Sequence, residues 1–179
     1  MGRTVVVGDI HGCYDELLDL LEKISFGSDD RLVSVGDLIV KGEKNREVLE
    51  LFISDKRFSA VLGNHDRKML RHWKGKRVSL KKAHEDAIAE LETGREKYAS
   101  YLDSLPLVIE LDNHLVVHAG VRPGVAIGEQ AVEDLTELRT LGADARVEKA
   151  RPGTKSMRAR RLFSSAIGLR RCPGAGRML

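Results

Sequence analysis

The segment VVVGDIHG, residues 5–12, places three β-branched residues directly before Gly8 and then an aspartate and a histidine, Asp9 and His11. A short apolar run closed by glycine is typical of a strand that is buried on both faces. Carboxylate and imidazole groups both bind divalent transition metals, and glycine lets the backbone approach a small charged site closely. The segment therefore predicts a buried strand that ends in a pair of metal ligands.

Three later segments repeat the order of an apolar run followed by a polar side chain. RLVSVGD ends at Asp37, SAVLGNHD contains Asn64, His65 and Asp66, and HLVVHAG contains His118. Each run has about four to six residues, which is the usual length of a strand. Ligands of open α/β sheets bind beyond the carboxyl ends of the strands, so we expect all four loops to converge on one site.

Amphipathic helical patterns separate the predicted strands. The order β-α-β-α-β up to Leu62 predicts right-handed crossovers and a parallel sheet. A charged helical insertion follows at residues 66–103, and apolar runs on both sides of 112–114 predict an antiparallel hairpin. We therefore expect an α/β core over residues 1–141. The histidines in the insertion and the hairpin turn are expected to face solvent, namely His72, His84 and His114.

Charge is distributed unevenly along the chain, whose 179 residues have a formal net charge of +3. Residues 142–179 contain 10 Lys/Arg and 2 Asp/Glu, a net charge of +8, and the preceding residues contain 20 and 25, a net charge of −5. Because this basic segment also lacks hydrophobic periodicity, we predict a tail that is disordered or not native to the fold. It lacks interleaved aromatic residues, so no specific nucleic-acid partner is expected.

The length of the apolar runs bears on localisation. No run is long enough to span a bilayer, and no signal peptide precedes the first strand. We therefore expect a cytoplasmic protein that has no membrane partner.

The candidate ligands combine carboxylate, amide and imidazole donors, namely Asp9, His11, Asp37, Asn64, His65 and His118. A mixed set of oxygen and nitrogen donors suits manganese, iron or zinc, and this set is too large for one tetrahedral centre. We therefore predict two divalent metal ions, with manganese as the first choice and Asp37 as the bridge. Such a pair lowers the pKa of a shared water and holds a phosphoryl oxygen, which predicts in-line attack of hydroxide on phosphorus.

Four motifs together resemble the phosphoprotein-phosphatase group of the calcineurin-like metallophosphoesterases: GDIHG at 8–12, GDLIVKG at 36–42, GNHD at 63–66 and HAG at 118–120. Within this group the chain is similar to the bacterial branch of serine/threonine phosphatases and symmetrical diadenosine tetraphosphate hydrolases. The resemblance spans residues 4 to about 141. It implies a fold in which two mixed β-sheets are sandwiched between helices.

The resemblance also implies a role for each motif residue. The implied metal ligands are Asp9 and His11 for the first ion, Asp37 as the bridge, and Asn64 and His118 for the second ion. His65 and Asp37 would be the catalytic residues. His65 would be the general acid that protonates the leaving oxygen. Lys41 stands where the family usually has an arginine that binds phosphate. Arg122 lies outside these motifs, in the sequence VRPG, and it either binds substrate phosphate or caps a helix.

Besides Lys41, two further features depart from the family pattern. Val40 stands where many relatives have an aspartate that orients the acid histidine, so we expect His65 to be held less firmly. The family supplies a further histidine to the second metal, but this chain has no histidine after His118. We therefore expect weaker binding of the second metal, an incomplete second sheet, and a truncated or frame-shifted end after about Leu141 that impairs activity.

Three hypotheses about function follow from these observations. The first is a two-metal serine/threonine phosphatase that acts on a phosphorylated protein or a small phosphate ester. The second is a hydrolase that cleaves dinucleoside tetraphosphates symmetrically. The third is a truncated and weakly active module that binds metal or phosphate.

Overall fold

The computed structural model describes residues 2–138 and the backbone of residues 161–163, which together form two three-stranded sheets and six α-helices. The elements are β1 Thr4–Val7, α1 Tyr14–Lys23, β2 Arg31–Ser34, α2 Asn45–Ser54, β3 Phe58–Ala60, α3 Asn64–Trp73, α4 Lys82–Leu91, α5 Arg95–Ser104, β4 Val108–Leu111, β5 His114–Val117, the 3-10 helix Ile127–Glu129, α6 Val132–Glu137 and β6 Arg161–Phe163. Among these helices none has both the length and the apolar character needed to cross a membrane. The expected cytoplasmic location stays a prediction.

The first sheet has the strand order β1-β2-β3, and both of its strand pairs are parallel. Val33 in the central strand lies opposite Val6 of β1 and Ser59 of β3. The crossover helices α1 and α2 connect these strands, as the amphipathic patterns predicted. Parallel pairing brings the carboxyl ends of the three strands to one edge of the sheet, where the first three motifs begin.

The second sheet has the strand order β4-β5-β6 and is mixed. Strand β4 pairs antiparallel with β5, with Val108 opposite Val117, and β5 pairs parallel with β6. The predicted α/β class with two sheets and flanking helices is confirmed, although the described strands of the first sheet are parallel rather than mixed. Apart from β6, the predicted basic tail lies outside the described residues, and its boundary stays a prediction.

The central strand β2 is buried on both faces, as the sequence predicted for strands of this kind. Leu32 packs into the cluster formed with the helices, and Val33 packs into a second cluster between the two sheets. Val35, Val61 and Val116 complete that second cluster, and all three are buried. Each fully buried aliphatic side chain contributes about 1.5–3 kcal/mol, so the sheet edge that bears the motifs is firmly supported from both sides.

The stretch 66–103, predicted to be helical, lies within the region formed by α3, α4 and α5. The expectation that its histidines face solvent is wrong for His84, which has an exposed fraction of 1%. Ala87 and Leu91 follow it on α4 at spacings of three and seven residues and are buried too. Helical periodicity therefore places His84 on the inner face of α4, whatever the charge of the residues around it. The histidines at 72 and 114 are half-buried.

Candidate metal centre and active-site cleft

The first two motif loops are held together by backbone hydrogen bonds. The N–H groups of Ile10 and His11 donate to the carbonyl oxygen of Asp37 at 3.1 and 2.8 Å, and Gly12 N–H donates to Leu38 at 2.8 Å. His11 and Asp37 have φ angles of 53° and 52°. Left-handed backbone costs a residue other than glycine roughly 1–3 kcal/mol and persists only when its surroundings enforce it. The paired loops therefore hold both side chains in fixed positions.

Four predicted ligands surround the carboxylate of a fifth, Asp37. Donor atoms of Asp9, Asp37 and His118 all lie within 4.8 Å of one another. On one side, His11 Nε2 lies 3.6 Å from Asp9 Oδ2 and 3.7 Å from Asp37 Oδ2. On the other side, His118 Nε2 lies 3.7 Å from the same Asp37 oxygen and 2.9 Å from Asn64 Oδ1. This is the arrangement expected of one carboxylate between two cation sites.

Backbone carbonyls orient both histidines of this group. Nδ1 of His11 lies 3.2 Å from the carbonyl oxygen of Ile39, and Nδ1 of His118 lies 2.8 Å from that of Val35. A carbonyl oxygen can only accept, so each neutral ring carries its proton on Nδ1. The lone pair of Nε2 then points at the acidic group, and in His118 it faces the oxygen of Asn64. Histidines that bind metal are commonly fixed in this way.

The donor set fits divalent cations. Oδ1 of Asp9 is buried and has no hydrogen-bond partner, which is costly for a carboxylate oxygen unless a cation satisfies it. The side chain of Asp37 is 2% exposed. Its burial raises the pKa of the carboxyl group, while the charges of His118 and His11 act to lower that pKa. A bound cation would stabilise both carboxylates in their ionised forms.

The predicted general acid, His65, lies beside this group on the first turn of α3. Its backbone N–H donates to Asp37 Oδ1 at 2.8 Å. Its ring makes an edge contact with that of His11, with centroids 5.2 Å apart and planes at 88°. Burial, and next the charge of Lys41, lower the pKa of His65 to about 2. The side chain is therefore neutral in the structure as it stands.

Asp66 was not among the candidate ligands, but it joins the second and third motif loops. Its carboxylate accepts hydrogen bonds from the N–H groups of Leu38, Ile39 and Gly63 at 3.2–3.3 Å. It is fully buried, and burial, together with the charge of Asp37, raises its pKa to about 7. The sequence signal for this role is an acid at the third position of a helix that can bond back to the capping residue.

A cleft of about 580 Å³ contains the site. Besides Asp9, Asp37, Asn64, His65 and His118, its lining includes two lysines, Lys41 and Lys68. Lys68 was missed by sequence reasoning, although it follows Asn64 by four residues on α3 and so lies on the same helix face. Helix α6 forms another wall through residues such as Thr136, and it is tied to α3 by an ion pair of 2.9 Å from Arg67 to Glu137.

The two predicted substrate-binding residues have different positions. Nζ of Lys41 lies 2.7 Å from His11 Nε2, inside the cleft. Arg122 does not line the cleft; its Nε and Nη2 donate to the carboxylate of Asp134 at 2.5 and 2.7 Å. Its backbone N–H donates to the side chain of Gln130 at 2.8 Å. The structure thus ties Arg122 to α6, and its role in binding substrate stays a prediction.

The chain is similar in sequence to bacterial nucleotide hydrolases. It is 40% identical over 124 residues to a symmetrical bis(5'-nucleosyl)-tetraphosphatase of Pasteurella multocida and 39% identical over 123 residues to that of Vibrio parahaemolyticus. Each match covers 67% of this chain and 45% of the relative. The chain therefore spans about half the length of these relatives.

Solved structures agree with these matches. A candidate diadenosine tetraphosphatase has a TM-score of 0.65 and 35% identity, over 75% of this chain and 58% of that chain. A serine/threonine phosphatase of Saccharomyces cerevisiae, at 21% identity and a TM-score of 0.55 over 76% of this chain and 48% of that one, shares the fold. The profile of the calcineurin-like phosphoesterases matches residues 2–156. With the motif loops gathered around Asp37 as described, the chain belongs to the calcineurin-like phosphoesterase family.

Proposed function

We propose that this chain is a two-metal phosphoester hydrolase that cleaves dinucleoside tetraphosphates symmetrically. The observation that carries the proposal is the carboxylate of Asp37 between His11 and His118, in a cleft that also contains Lys41 and Lys68. The relatives from P. multocida and V. parahaemolyticus, which are named for this activity, support the substrate class.

Two divalent cations, manganese by preference, are the cofactors of this proposal. Asp9 and His11 would hold one ion, Asn64 and His118 the other, and Asp37 both. When bound, such a pair lowers the pKa of the attacking water and polarises the phosphoryl group. Carboxylate, amide and imidazole ligands are compatible with manganese, iron or zinc, so the choice of metal is part of the test.

The remaining cleft residues bind substrate and stabilise the charge that develops on the leaving oxygen. Lys41 and Lys68 would hold phosphate oxygens as point charges. Water adds its oxygen to one of the two central phosphorus atoms, and the bond from that phosphorus to the bridging oxygen breaks. The bridging oxygen leaves with one nucleoside diphosphate and accepts a hydrogen bond from Nε2–H of His65 as negative charge develops on it. The protons of the water pass to solvent, because a terminal phosphate is largely ionised near neutral pH. Diadenosine tetraphosphate and one water thus give two molecules of ADP.

The sequence motifs favoured a serine/threonine phosphatase, but the comparisons favour a symmetrical tetraphosphatase. The yeast phosphatase shares the fold at 21% identity, whereas the relatives with about 40% identity are named for a nucleotide substrate. A phosphoprotein is therefore not the substrate that we propose. The third hypothesis, a weakly active module, is kept as an outcome of the experiment.

The experiment compares three substrates, with and without manganese. Purified chain is incubated with diadenosine tetraphosphate, p-nitrophenyl phosphate and a phosphoserine peptide, and the nucleotide products are separated by ion-exchange chromatography. We expect metal-dependent formation of ADP alone. Formation of AMP together with ATP would contradict symmetrical cleavage, and faster hydrolysis of the peptide would restore the phosphatase hypothesis. One bound ion per chain without turnover on any substrate would favour the weakly active module.

A further inference from the structure

A buried histidine, His84, is in direct contact with His65. Its Nε2 lies 3.1 Å from Nδ1 of His65, and the two rings stack with centroids 5.0 Å apart and planes inclined by 19°. His84 has an exposed fraction of only 1%. A polar ring that is removed from water needs hydrogen-bond partners for its nitrogens. One partner of His84 is His65, and the other lies at the start of its own helix.

The second partner determines which nitrogen of His84 carries the proton. The backbone N–H of Lys81 donates to Nδ1 of His84 at 3.2 Å. A backbone N–H can only donate, so Nδ1 must be the unprotonated nitrogen. Burial, and next the charge of Lys68, lower the pKa of His84 and thus favour the neutral ring. The single proton of that ring is then on Nε2, the atom that faces His65.

The same argument extends to His65. Because His84 Nε2 donates, Nδ1 of His65 accepts, and a neutral His65 ring carries its proton on Nε2. Nδ1 is occupied by this contact, so Nε2 is the nitrogen that can donate a hydrogen bond to a substrate in the cleft that His65 lines. The stacked ring of His84 and the edge of His11 also limit rotation of the His65 ring.

The contact from His84 orients the ring of His65, which the side chain at position 40 cannot do. Val40 has no polar side-chain atom, is fully buried, and donates its backbone N–H to Asn45 Oδ1 at 2.7 Å. The sequence therefore suggested that His65 would be held loosely. In the structure, a side chain from α4 contacts Nδ1 of His65 instead.

We propose that His84 is a positioning residue that fixes the ring plane of His65 and keeps the proton of that ring on Nε2. The kinetic part of this proposal rests on the proposed function. The part that concerns the position of the proton does not, because it can be measured without any substrate.

Two substitutions separate the roles of the two His84 nitrogens. In His84→Asn, the amide oxygen can still accept from Lys81 N–H, but the side chain is too short to donate to His65. In His84→Gln, the longer side chain can place an amide N–H where Nε2 lies. The asparagine variant thus keeps the bond at the start of α4 and loses the contact with His65, and the glutamine variant restores that contact.

The kinetic test measures kcat, KM and bound metal for both variants. We expect kcat of His84→Asn to fall roughly 10- to 100-fold, as is typical for loss of an orienting partner. KM and the number of bound ions should stay within about twofold, because no ligand atom is removed. His84→Gln should recover most of kcat. In a His65→Ala background, His84→Asn should have little further effect, since the two residues act as a unit.

The spectroscopic test records two-bond ¹H–¹⁵N correlations of the histidine rings in the full chain. We expect a pyrrole-like Nε2 and a pyridine-like Nδ1 for His65 in the wild type and in His84→Gln, and a mixture of tautomers in His84→Asn. A wild-type His65 with its proton on Nδ1 would overturn the proposal, even if both variants failed to fold. An unchanged kcat and tautomer in His84→Asn would overturn it as well. If the wild-type chain hydrolyses none of the substrates, the proposed function is refuted, but the tautomer test stays valid.

Discussion

Nζ of Lys41 lies 2.7 Å from Nε2 of His11, the ring nitrogen that the carbonyl oxygen of Ile39 leaves available for a metal. The loop around Lys41 is firmly held: Val40 and Lys41 have φ angles of 75° and 82°, and Asn45 Nδ2 donates to the carbonyl oxygen of residue 42 at 3.0 Å. The ammonium group therefore lies where it would compete with a divalent cation for the same lone pair.

Lys41→Met should separate the effects of this lysine on metal and on substrate. Removing one positive charge should tighten manganese binding by about 1 kcal/mol, or roughly fivefold. KM for a phosphate ester should rise because a phosphate contact is lost. Titration calorimetry with manganese and initial rates measure the two effects. Lys56→Met, at an exposed lysine, is the control, and weaker manganese binding by Lys41→Met would contradict the competition.

Asp9→Asn and Asp37→Asn should differ in the number of ions they lose. Asp37 lies between His11 and His118, so its change should weaken both cation sites, whereas the change at Asp9 should weaken one. We expect close to one ion per chain for Asp9→Asn and close to none for Asp37→Asn by mass spectrometry after gel filtration. Equal loss in the two variants would argue against Asp37 as the bridge.

His65→Ala should lower kcat about 10²- to 10³-fold, because the donor that stabilises charge on the leaving oxygen is lost. Metal content should not change, because the backbone N–H that donates to Asp37 Oδ1 remains. His72→Ala on the same helix is the matched control, since His72 does not line the cleft. An unchanged kcat in His65→Ala would remove His65 from its proposed role.

The convergence of the motif loops could be predicted from the sequence because parallel strands end at one edge of a sheet. Each motif follows its strand within a few residues, so strand order alone brings Asp9, Asp37 and Asn64 together. His118 follows the same rule at the end of β5, in the second sheet. The predictable part of the site is thus the part that sheet topology determines.

Contacts made by helices were harder to predict, because they depend on how α3, α4 and α6 pack. His84 contacts His65 across 19 residues, and Arg122 pairs with Asp134 across 12. The charge of the surrounding sequence suggested that His84 faces solvent, but the spacing of His84 and Leu91 is the stronger signal. Lys68 could have been found by the same spacing from Asn64. Tertiary packing decided these positions, and local composition did not.

Gly63→Ala should disturb the site without any change of polar groups. The φ angle of Gly63 is −85°, which alanine adopts readily, so the effect must come from space. A Cβ atom there would overlap the backbone nitrogen and Oδ1 of Asp37. We expect a loss of about 1–3 kcal/mol in the free energy of unfolding and weaker metal binding. Gly128→Ala, where no described atom lies within 4 Å of the new Cβ, is the control.

If Gly63→Ala unfolds at the same urea concentration as Gly128→Ala and binds the same number of ions, the close approach of the two loops is not required. Urea titrations followed by circular dichroism, and metal analysis of the same samples, measure both quantities.

Stability in acid should depend on Asp30, a buried aspartate that directly precedes β2 and lies outside the four motifs. Hydrogen bonds from the side chain of Arg3, and next from the N–H groups of Gly27 and Arg3, hold the pKa of Asp30 well below its ordinary value of 3.8. In the unfolded chain these bonds are lost, so as the pH falls the unfolded state takes up the proton first. The stability that Asp30 contributes is fully present above its ordinary pKa and is lost as the pH falls through its pKa in the folded state.

Asp30→Asn tests this pH dependence through the urea midpoint of unfolding. The midpoint of the wild type should exceed that of the variant by a constant amount between about pH 6 and pH 8, where Asp30 is ionised in both states. The difference should shrink progressively below about pH 4. Arg3→Gln, which removes the ion pair but keeps both backbone donors, should reduce the difference in part. A difference that grows as the pH falls would mean that the folded state raises the pKa of Asp30, contrary to the hydrogen bonds that surround it.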